Sequence, residues 1–174
     1  MSSKLVFIGG PPGVGKTTVA KELFSTLDDS VWLDGDDLWR MHPFVVTEAT
    51  KQMVERNIEF VLRSFLDTGF SYVLLTWVLH YTRIVERLLA GLGGFDFEFL
   101  HFTLKCDETT LTERLASDRN RATEVELAFR RLHQCSRVPS VKVDTVGKRP
   151  AEIAEELMYL IRKRGQAPSS GERR

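Results

Sequence analysis

Blocks of apolar and polar residues alternate along this chain in an order that predicts a parallel β-sheet enclosed by helices. Short continuous apolar runs are separated by longer segments in which apolar residues recur every three or four positions. Because parallel strands that are covered on both faces read as continuous apolar runs, this order is typical of a three-layer α/β/α sandwich. The five predicted strands cover residues 4–9, 30–33, 71–76, 97–104 and 141–143.

Amphipathic helices are predicted between and after these strands. Apolar residues at helical spacing cover 54–65 and 84–92, and a last helix runs from Pro150 to about Lys163. The remaining residues, 165–174, are polar and rich in Pro, Ser and Gly, which predicts a disordered tail. Since 174 residues build one sizeable core, we expect a single domain over residues 1–164.

The loop after the first predicted strand carries a phosphate-binding signature, G-x-x-x-x-G-K-[ST]. Its glycines allow backbone N–H groups to turn toward phosphates, and a helix that starts near Gly15 adds the positive end of its dipole. Lys16 is expected to reach the β- and γ-phosphates, and the Thr17 hydroxyl to ligate Mg²⁺. We therefore expect a nucleoside triphosphate to be bound by Gly10, Pro11, Pro12, Gly13, Val14, Gly15, Lys16, Thr17 and Thr18.

The composition of the chain indicates which partners and which cellular compartment to expect. Twenty-four Lys and Arg balance twenty-four Asp and Glu, so the chain lacks the excess positive charge of sequence-independent nucleic-acid binders. No signal-peptide pattern and no apolar stretch of about 18 residues is present. This predicts a cytoplasmic protein without nucleic-acid or membrane partners. Cys106 and Cys135 have no C-x-x-C motif or histidine at ligand spacing, which favours idle thiols.

Two other classes of phosphate-loop protein fit this sequence poorly. A GTP-dependent switch is expected to carry an N-K-x-D segment, but neither Asn57 nor Asn120 is followed by lysine. A ring or transporter ATPase needs a longer chain and an acidic pair at the end of a mid-chain strand, and the third predicted strand ends without a carboxylate. The loop alone identifies the cofactor and not the reaction.

The acidic residues follow the second predicted strand instead, as Asp34-Gly35-Asp36-Asp37. Because the carboxyl ends of parallel strands line the ligand crevice, these carboxylates are expected near the γ-phosphate. Phosphoryl transfer needs a carboxylate there to orient and deprotonate the attacking hydroxyl. The alternative is a polar turn that only caps the next helix, because Asp favours N-caps and Gly favours turns.

Together with residues 38–43, Leu-Trp-Arg-Met-His-Pro, the acidic cluster resembles the D-G-D…R…H-P stretch of small phosphate-loop kinases. This family includes shikimate kinase, gluconate kinase, chloramphenicol phosphotransferase and the zeta-toxin kinases. The resemblance implies ATP as the donor, a small-molecule acceptor and a parallel sheet in the order 2-3-1-4-5. It also implies that Asp36 positions and deprotonates the acceptor hydroxyl and that Asp34 acts on Mg²⁺ through water. For Asp37 we expect helix capping, because Asp favours N-caps.

The segment after the fourth predicted strand resembles the cationic lid of the same kinases. Its sequence is similar to D-x-x-x-L-x-x-R-L…R-x-R, which implies a lid near residues 107–135. Arg119 or Arg121 would then close on the γ-phosphate as the catalytic arginine, because a guanidinium stabilises spread phosphoryl charge better than an ammonium. Arg114 would pack near the nucleotide base or brace the lid. The alternative is a solvated helix surface without chemistry.

The acceptor pocket is the least defined part of the predicted site. A nucleotide kinase would need arginines for the acceptor phosphate near Arg40, Arg56 and Arg63. A regulator that binds ATP without turnover and an antibiotic-modifying kinase are further alternatives. We expect a monomer or a homodimer. The candidate acceptor-binding side chains are Asp36, Arg40, His42, Trp77 and His80.

Overall fold

The computed structural model describes residues 2–117 and 124–164, which form five strands, six α-helices and one 3₁₀ helix. The strands are β1 (Ser3–Gly9), β2 (Ser30–Asp34), β3 (Tyr72–Thr76), β4 (Phe97–Lys105) and β5 (Val141–Asp144). The α-helices are α1 (Lys16–Phe24), α2 (Glu48–Thr68), α3 (Thr82–Gly91), α4 (Glu108–Ser117), α5 (Val125–Ser136) and α6 (Pro150–Arg164), and the 3₁₀ helix is Gly35–Trp39. The predicted tail, 165–174, lies outside the described residues.

The five strands form one parallel sheet in the order β2-β3-β1-β4-β5. β1 lies at its centre, where Phe7 is in register with Leu75 on β3 and with His101 on β4. The predicted strands, the α/β sandwich and the strand order are all confirmed. Since every strand is parallel, all five carboxyl ends meet at one edge of the sheet, where ligand crevices of such folds lie.

Alternate residues of β1 face two separate buried clusters. Leu5 and Phe7 belong to a cluster with apolar residues of α2 and α3. Val6 and Ile8 belong to a second cluster with residues of α1, α4 and α6. Because successive strand side chains point to opposite faces of a sheet, this division produces the helix, sheet and helix layers.

The second helix begins and ends at strong local signals. Thr47 and Thr50 form a reciprocal capping box, in which each hydroxyl accepts a hydrogen bond from the other residue's backbone N–H. Gly69 ends the helix in the left-handed conformation, with φ of 87°. The start of α2 is thereby fixed on the side of the sheet where β2 ends.

Within residues 2–117 and 124–164, no helix has the length and apolar character that crossing a lipid bilayer requires.

Candidate functional site

The loop between β1 and α1 has a backbone that only glycine tolerates at key positions. Gly10, Gly13 and Gly15 have φ angles of 145°, 82° and 101°. A Cβ atom on Gly10 would lie 2.8 Å from the carbonyl oxygen of Leu104, and one on Gly13 would lie 2.8 Å from the Leu115 side chain. Both the positive φ and the lack of space therefore exclude larger residues at Gly10 and Gly13.

The first turn of α1 opens into a cavity of about 260 Å³. Gly15 precedes the helix without a side-chain cap, so the N-terminal backbone N–H groups receive no capping hydrogen bond from it. Lys16 is 7% exposed, and its Nζ donates to the carbonyl oxygens of Gly10 and Pro11, each at 3.0 Å. These features fit a bound phosphate chain. The cavity is lined by Gly13, Gly15, Lys16, Thr17, Thr18, Asp36, Arg114 and Leu115.

A single carboxylate joins the phosphate loop to the acidic turn after β2. Thr17 Oγ1 donates to Asp34 Oδ2 at 2.8 Å, and the Asp36 backbone N–H donates to Asp34 Oδ1 at 3.1 Å. The structure thus brings together Thr17 and Asp34, the two predicted Mg²⁺ residues. The Asp34 carboxylate also holds the backbone of Asp36, the predicted base. Asp36 itself is exposed and lines the cavity beside Lys16 and Thr17.

The helix-capping role expected for Asp37 is wrong. The N-cap of the 3₁₀ helix is Asp34, whose carboxylate accepts from the Asp36 backbone. Asp37 instead accepts from the guanidinium of Arg40, with a shortest distance of 2.6 Å. Asp34 is the N-cap because the 3₁₀ helix begins at Gly35, directly after β2, which leaves Asp37 inside the helix.

Trp77 supports the acidic turn from below. It is 8% exposed and belongs to the core cluster on the α2 and α3 face. A Cβ atom on Gly35 would lie 2.8 Å from the indole, so the turn passes directly over the ring because position 35 is glycine. Trp32 Nε1 donates to Thr76 Oγ1 at 3.0 Å in the same region. The Trp77 indole therefore packs in the core and contacts the acidic turn at Gly35.

Arg114 on α4 holds two loops of the site together. Its Nη1 donates to the carbonyl oxygen of Val14 at 3.1 Å and to Thr145 Oγ1 at 2.9 Å, while Nη2 donates to the Thr145 carbonyl oxygen at 2.9 Å. The guanidinium also lines the cavity. Arg114 therefore braces the phosphate loop against the turn after β5, a contact that spacing along the sequence does not reveal.

The predicted catalytic arginines, Arg119 and Arg121, lie outside the described residues. The described parts of the predicted lid are α4 and α5, which flank them. His133 on α5 and Glu108 on α4 approach within 3.1 Å, Nε2 to Oε1. The lid and its arginines stay predictions.

Two of the candidate acceptor residues lie away from the cavity wall. The Arg40 side chain is 81% exposed and pairs with Asp37 in solvent, a contact that raises the pKa of Arg40. His42 is exposed in the loop that leads to α2. Neither residue is among those that line the cavity around Lys16.

The arginines that a nucleotide kinase would need do not gather at this edge of the sheet. Arg63 donates to the carbonyl oxygen of Gly91 at the end of α3, and its guanidinium lies 5.1 Å from the centre of the Phe95 ring. Because α3 starts after β3, its end lies at the opposite edge of the sheet. Arg56 is exposed on α2, and Arg40 is bound to the acidic turn.

His80 follows β3 and lies against a group that sequence reasoning missed. Its ring centre is 4.3 Å from that of Tyr81, over which the Arg83 guanidinium lies at 4.9 Å. Burial, reinforced by the positive charges of Arg131, Arg83 and Lys51, lowers the pKa of His80 to about 4. The signal that could have found this group is the position of Tyr81 and Arg83 directly after the end of a predicted strand.

Both cysteines are buried and free. Cys135 Sγ donates to the carbonyl oxygen of Val78 at 3.3 Å, and burial raises the pKa of this thiol to about 11. Burial also raises the pKa of Cys106. In the part of the chain that the structure describes, no three His, Cys, Asp or Glu side chains are grouped to hold a metal by themselves.

Comparison with known proteins places this geometry in a family. Residues 6–136 match the family described as AAA domain. The chain is 29% identical over 146 residues to a guanylate kinase of Prochlorococcus marinus (strain MIT 9312), a match that covers 74% of this chain and 77% of the relative.

Solved structures share this fold over about nine-tenths of the chain. The tunicamycin resistance protein of Deinococcus radiodurans superimposes with a TM-score of 0.70 at 24% identity, covering 91% of this chain and 95% of that one. A gluconokinase from Sinorhizobium meliloti 1021 superimposes with a TM-score of 0.69 at 17% identity, covering 92% of each chain. The predicted resemblance to small phosphate-loop kinases is thus confirmed at the level of the fold.

Proposed function

The chain belongs to the AAA domain family, and from this premise we propose that it transfers the γ-phosphoryl group of ATP to a hydroxyl of a small-molecule acceptor. The family and the fold alone leave the reaction open, because phosphate-loop folds host several chemistries. The choice of a kinase rests on the arrangement of side chains around the cavity.

The phosphate loop and α1 are the proposed nucleotide site. The backbone N–H groups at the start of α1 and the Lys16 ammonium would bind the β- and γ-phosphates. Thr17 and Asp34 would hold Mg²⁺, the latter through water, since hydroxyl and carboxylate oxygens are its preferred ligands. When bound with the nucleotide, Mg²⁺ neutralises charge on the transferring phosphates.

Asp36 is the proposed catalytic base. It lines the same cavity as Lys16 and Thr17, and its backbone is held by the carboxylate that also accepts from the Thr17 hydroxyl. From there the carboxylate would orient the acceptor hydroxyl and accept its proton as the oxygen attacks the γ-phosphorus. The bridge from Thr17 through Asp34 to Asp36 is the observation that carries the proposal.

The test is acceptor-dependent release of ADP by the wild-type protein and by Asp36→Asn. We expect the substitution to lower kcat by about 100- to 10,000-fold because it removes the proton acceptor, while the affinity for an ATP analogue measured by calorimetry stays the same. Asp37→Asn is the matched control, since Asp37 is adjacent and pairs with Arg40 at the surface. Full activity in Asp36→Asn would rule out this base.

Lys16→Ala separates the kinase from a regulator that binds ATP without turnover. The substitution should lower kcat by about 100- to 1,000-fold, because a preorganised positive group no longer meets the phosphoryl charge. Lys21→Ala, on the exposed side of the same helix, is the control. A wild-type protein that binds ATP but releases no ADP with any acceptor would support the regulator.

A nucleotide acceptor is the second candidate, and the 29% identity to a guanylate kinase favours it. The positions of Arg56 and Arg63, away from the cavity, weigh against it. Comparing GMP with sugars and hydroxy acids as acceptors in the same assay distinguishes the two.

A further inference from the structure

A cluster of aromatic and cationic side chains lies beside the proposed active site without a role in it. Tyr81 is at its centre, in contact with His80 and under the guanidinium of Arg83. The Tyr81 hydroxyl accepts a hydrogen bond from Gln134 Nε2 at 2.8 Å, and Gln134 Oε1 accepts one from Arg131 Nη1 at 2.7 Å. We call these five residues the Tyr81 cluster.

The Tyr81 cluster adjoins the phosphate loop. The carbonyl oxygen of Val78, three residues before Tyr81, accepts from the Gly10 backbone N–H at 3.3 Å and from Cys135 Sγ at 3.3 Å. Arg131 lies one turn before Cys135 on α5, and the charges of both Lys16 and Arg131 act on that thiol. The cluster and the cavity therefore share the edge at which the strands end.

Positive charge in this cluster exceeds the nearby negative charge. Two acidic residues of α2 pair with other cations, Glu48 with Lys51 at 2.7 Å and Glu55 with Arg87 at 2.8 Å. The charge of Arg83 also acts on Glu48, but more weakly than that of Lys51. Among the described residues, no carboxylate oxygen lies within 4.0 Å of the guanidinium of Arg83 or of Arg131. The Arg83 guanidinium thus lies over the Tyr81 ring, and the Arg131 guanidinium is linked to the Tyr81 hydroxyl through Gln134. Neither arginine has a neutralising ion pair in the described structure.

The state of His80 agrees with this distribution of charge. Its Nδ1 is buried and accepts or donates no hydrogen bond within the described structure. Its pKa is lowered first by burial and then by Arg131, Arg83 and Lys51, so the ring is neutral at pH 7. The cluster therefore has a positive potential that comes from the arginines, and a neutral ring that can accept a hydrogen bond.

We propose, on the basis of the kinase function above, that the acceptor is an anionic hydroxyl compound whose carboxylate or phosphate is bound by Arg83 and Arg131 over Tyr81. Guanidinium groups match the planar and bidentate geometry of both anions. With the anion held at the Tyr81 cluster, the hydroxyl would extend toward Asp36. Neutral polyols, neutral nucleosides and uncharged antibiotics lack such an anion and would not be preferred acceptors.

Calorimetry with matched probe pairs tests this inference independently of turnover. The pairs are gluconate and sorbitol, shikimate and its methyl ester, and glucose 6-phosphate and glucose, each titrated with and without a non-hydrolysable ATP analogue and Mg²⁺. We expect at least one anionic member to bind about tenfold or more tightly than its neutral partner. The first two pairs report a carboxylate and the third a phosphate.

Variants then assign the effect to the two arginines. Arg83→Gln with Arg131→Gln should abolish the preference for the anion, and the corresponding double lysine variant should retain part of it, because the charge remains but the planar fork is lost. Arg130→Gln, adjacent to Arg131 but directed to Glu126, should leave the preference unchanged. Circular dichroism melting verifies that each variant is folded.

Two outcomes would overturn the inference: no anionic probe binds more tightly than its neutral partner, or the double glutamine variant keeps the wild-type preference. Failure of the kinase function has a different signature. In that case the anion preference and its loss in the variants persist, but no probe stimulates ADP release.

Discussion

The nucleotide side and the acceptor side of this crevice are constructed by different means. The nucleotide side is a short continuous segment in which backbone groups and one buried lysine form the binding surface. The proposed acceptor side consists of side chains from the turn after β2, the loop after β3 and helix α5. The first has no space for a Cβ atom at Gly10 or Gly13, whereas the second depends on exposed and half-buried side chains.

This difference explains how one fold serves many acceptors. A phosphate chain is the same in every nucleotide, so a fixed backbone cradle can bind it in every member of such a family. The acceptor is recognised by side chains on loops, which tolerate substitution without loss of the core. Substitutions on the two sides should therefore differ in what they affect, stability on one side and acceptor choice on the other.

The largest effect on stability is expected from Gly10→Ala, which places a side chain in the closely packed backbone of the nucleotide side. The new Cβ would meet the Leu104 carbonyl oxygen, in addition to the cost of a positive φ, so the free energy of unfolding should fall by about 3 kcal/mol. Urea unfolding measures it. Gly94→Ala is the matched control, because Gly94 also has positive φ but open space around its Cβ, and it should lose only about 1–2 kcal/mol. Equal losses would contradict the steric argument.

An intermediate effect is expected from His101, which lies under the start of the phosphate loop. Its Nε2 would be 3.6 Å from a Cβ on Gly9, and burial lowers the pKa of the ring to about 4. Below pH 6.5 the unfolded chain binds a proton that the folded protein does not, so stability falls with decreasing pH until about pH 4. Between pH 7.5 and pH 5 the loss from this histidine is about 2 kcal/mol.

His101→Leu removes the contribution of this histidine to the pH dependence of stability. Its free energy of unfolding should vary with pH less steeply than that of the wild type, as measured by urea unfolding at several pH values. His42→Gln, at an exposed position near the acidic turn, is the control for removing a histidine outside the core. Parallel curves for His101→Leu and the wild type would show that His101 is not protonated differently in the two states.

The smallest effect is expected from Arg114→Gln, at the boundary between the phosphate loop and the turn after β5. Loss of hydrogen bonds to Val14 and Thr145 should lower the free energy of unfolding by about 1 kcal/mol and weaken ATP binding. Differential scanning calorimetry and nucleotide titration measure these two effects. Arg40→Gln removes only a solvent-exposed ion pair and should leave both values unchanged. An unaltered nucleotide affinity in Arg114→Gln would show that Arg114 does not contribute to nucleotide binding.

Sequence patterns were sufficient for most of the fold. The apolar runs predicted all five strands, because a strand buried on both faces must be apolar at nearly every position. The strand order came from the resemblance to small kinases and is confirmed. The N-cap after β2 was predicted at the wrong aspartate, since the choice between Asp34 and Asp37 depends on where the strand stops pairing with β3.

The sequence by itself determined the sheet, the two apolar faces and the phosphate loop. Each of these follows from constraints between residues that are near one another in the chain: apolar periodicity, or glycines that alone adopt the required backbone. Only the tertiary structure decided that Arg114 braces the loop through Thr145, that Arg83 lies over the Tyr81 ring, and that Arg131 is linked to Tyr81 through Gln134. These contacts join residues far apart along the chain, 53 positions for Tyr81 and Gln134 and 100 positions for Arg114 and Val14, and no local pattern encodes which distant side chains the packed helices bring together.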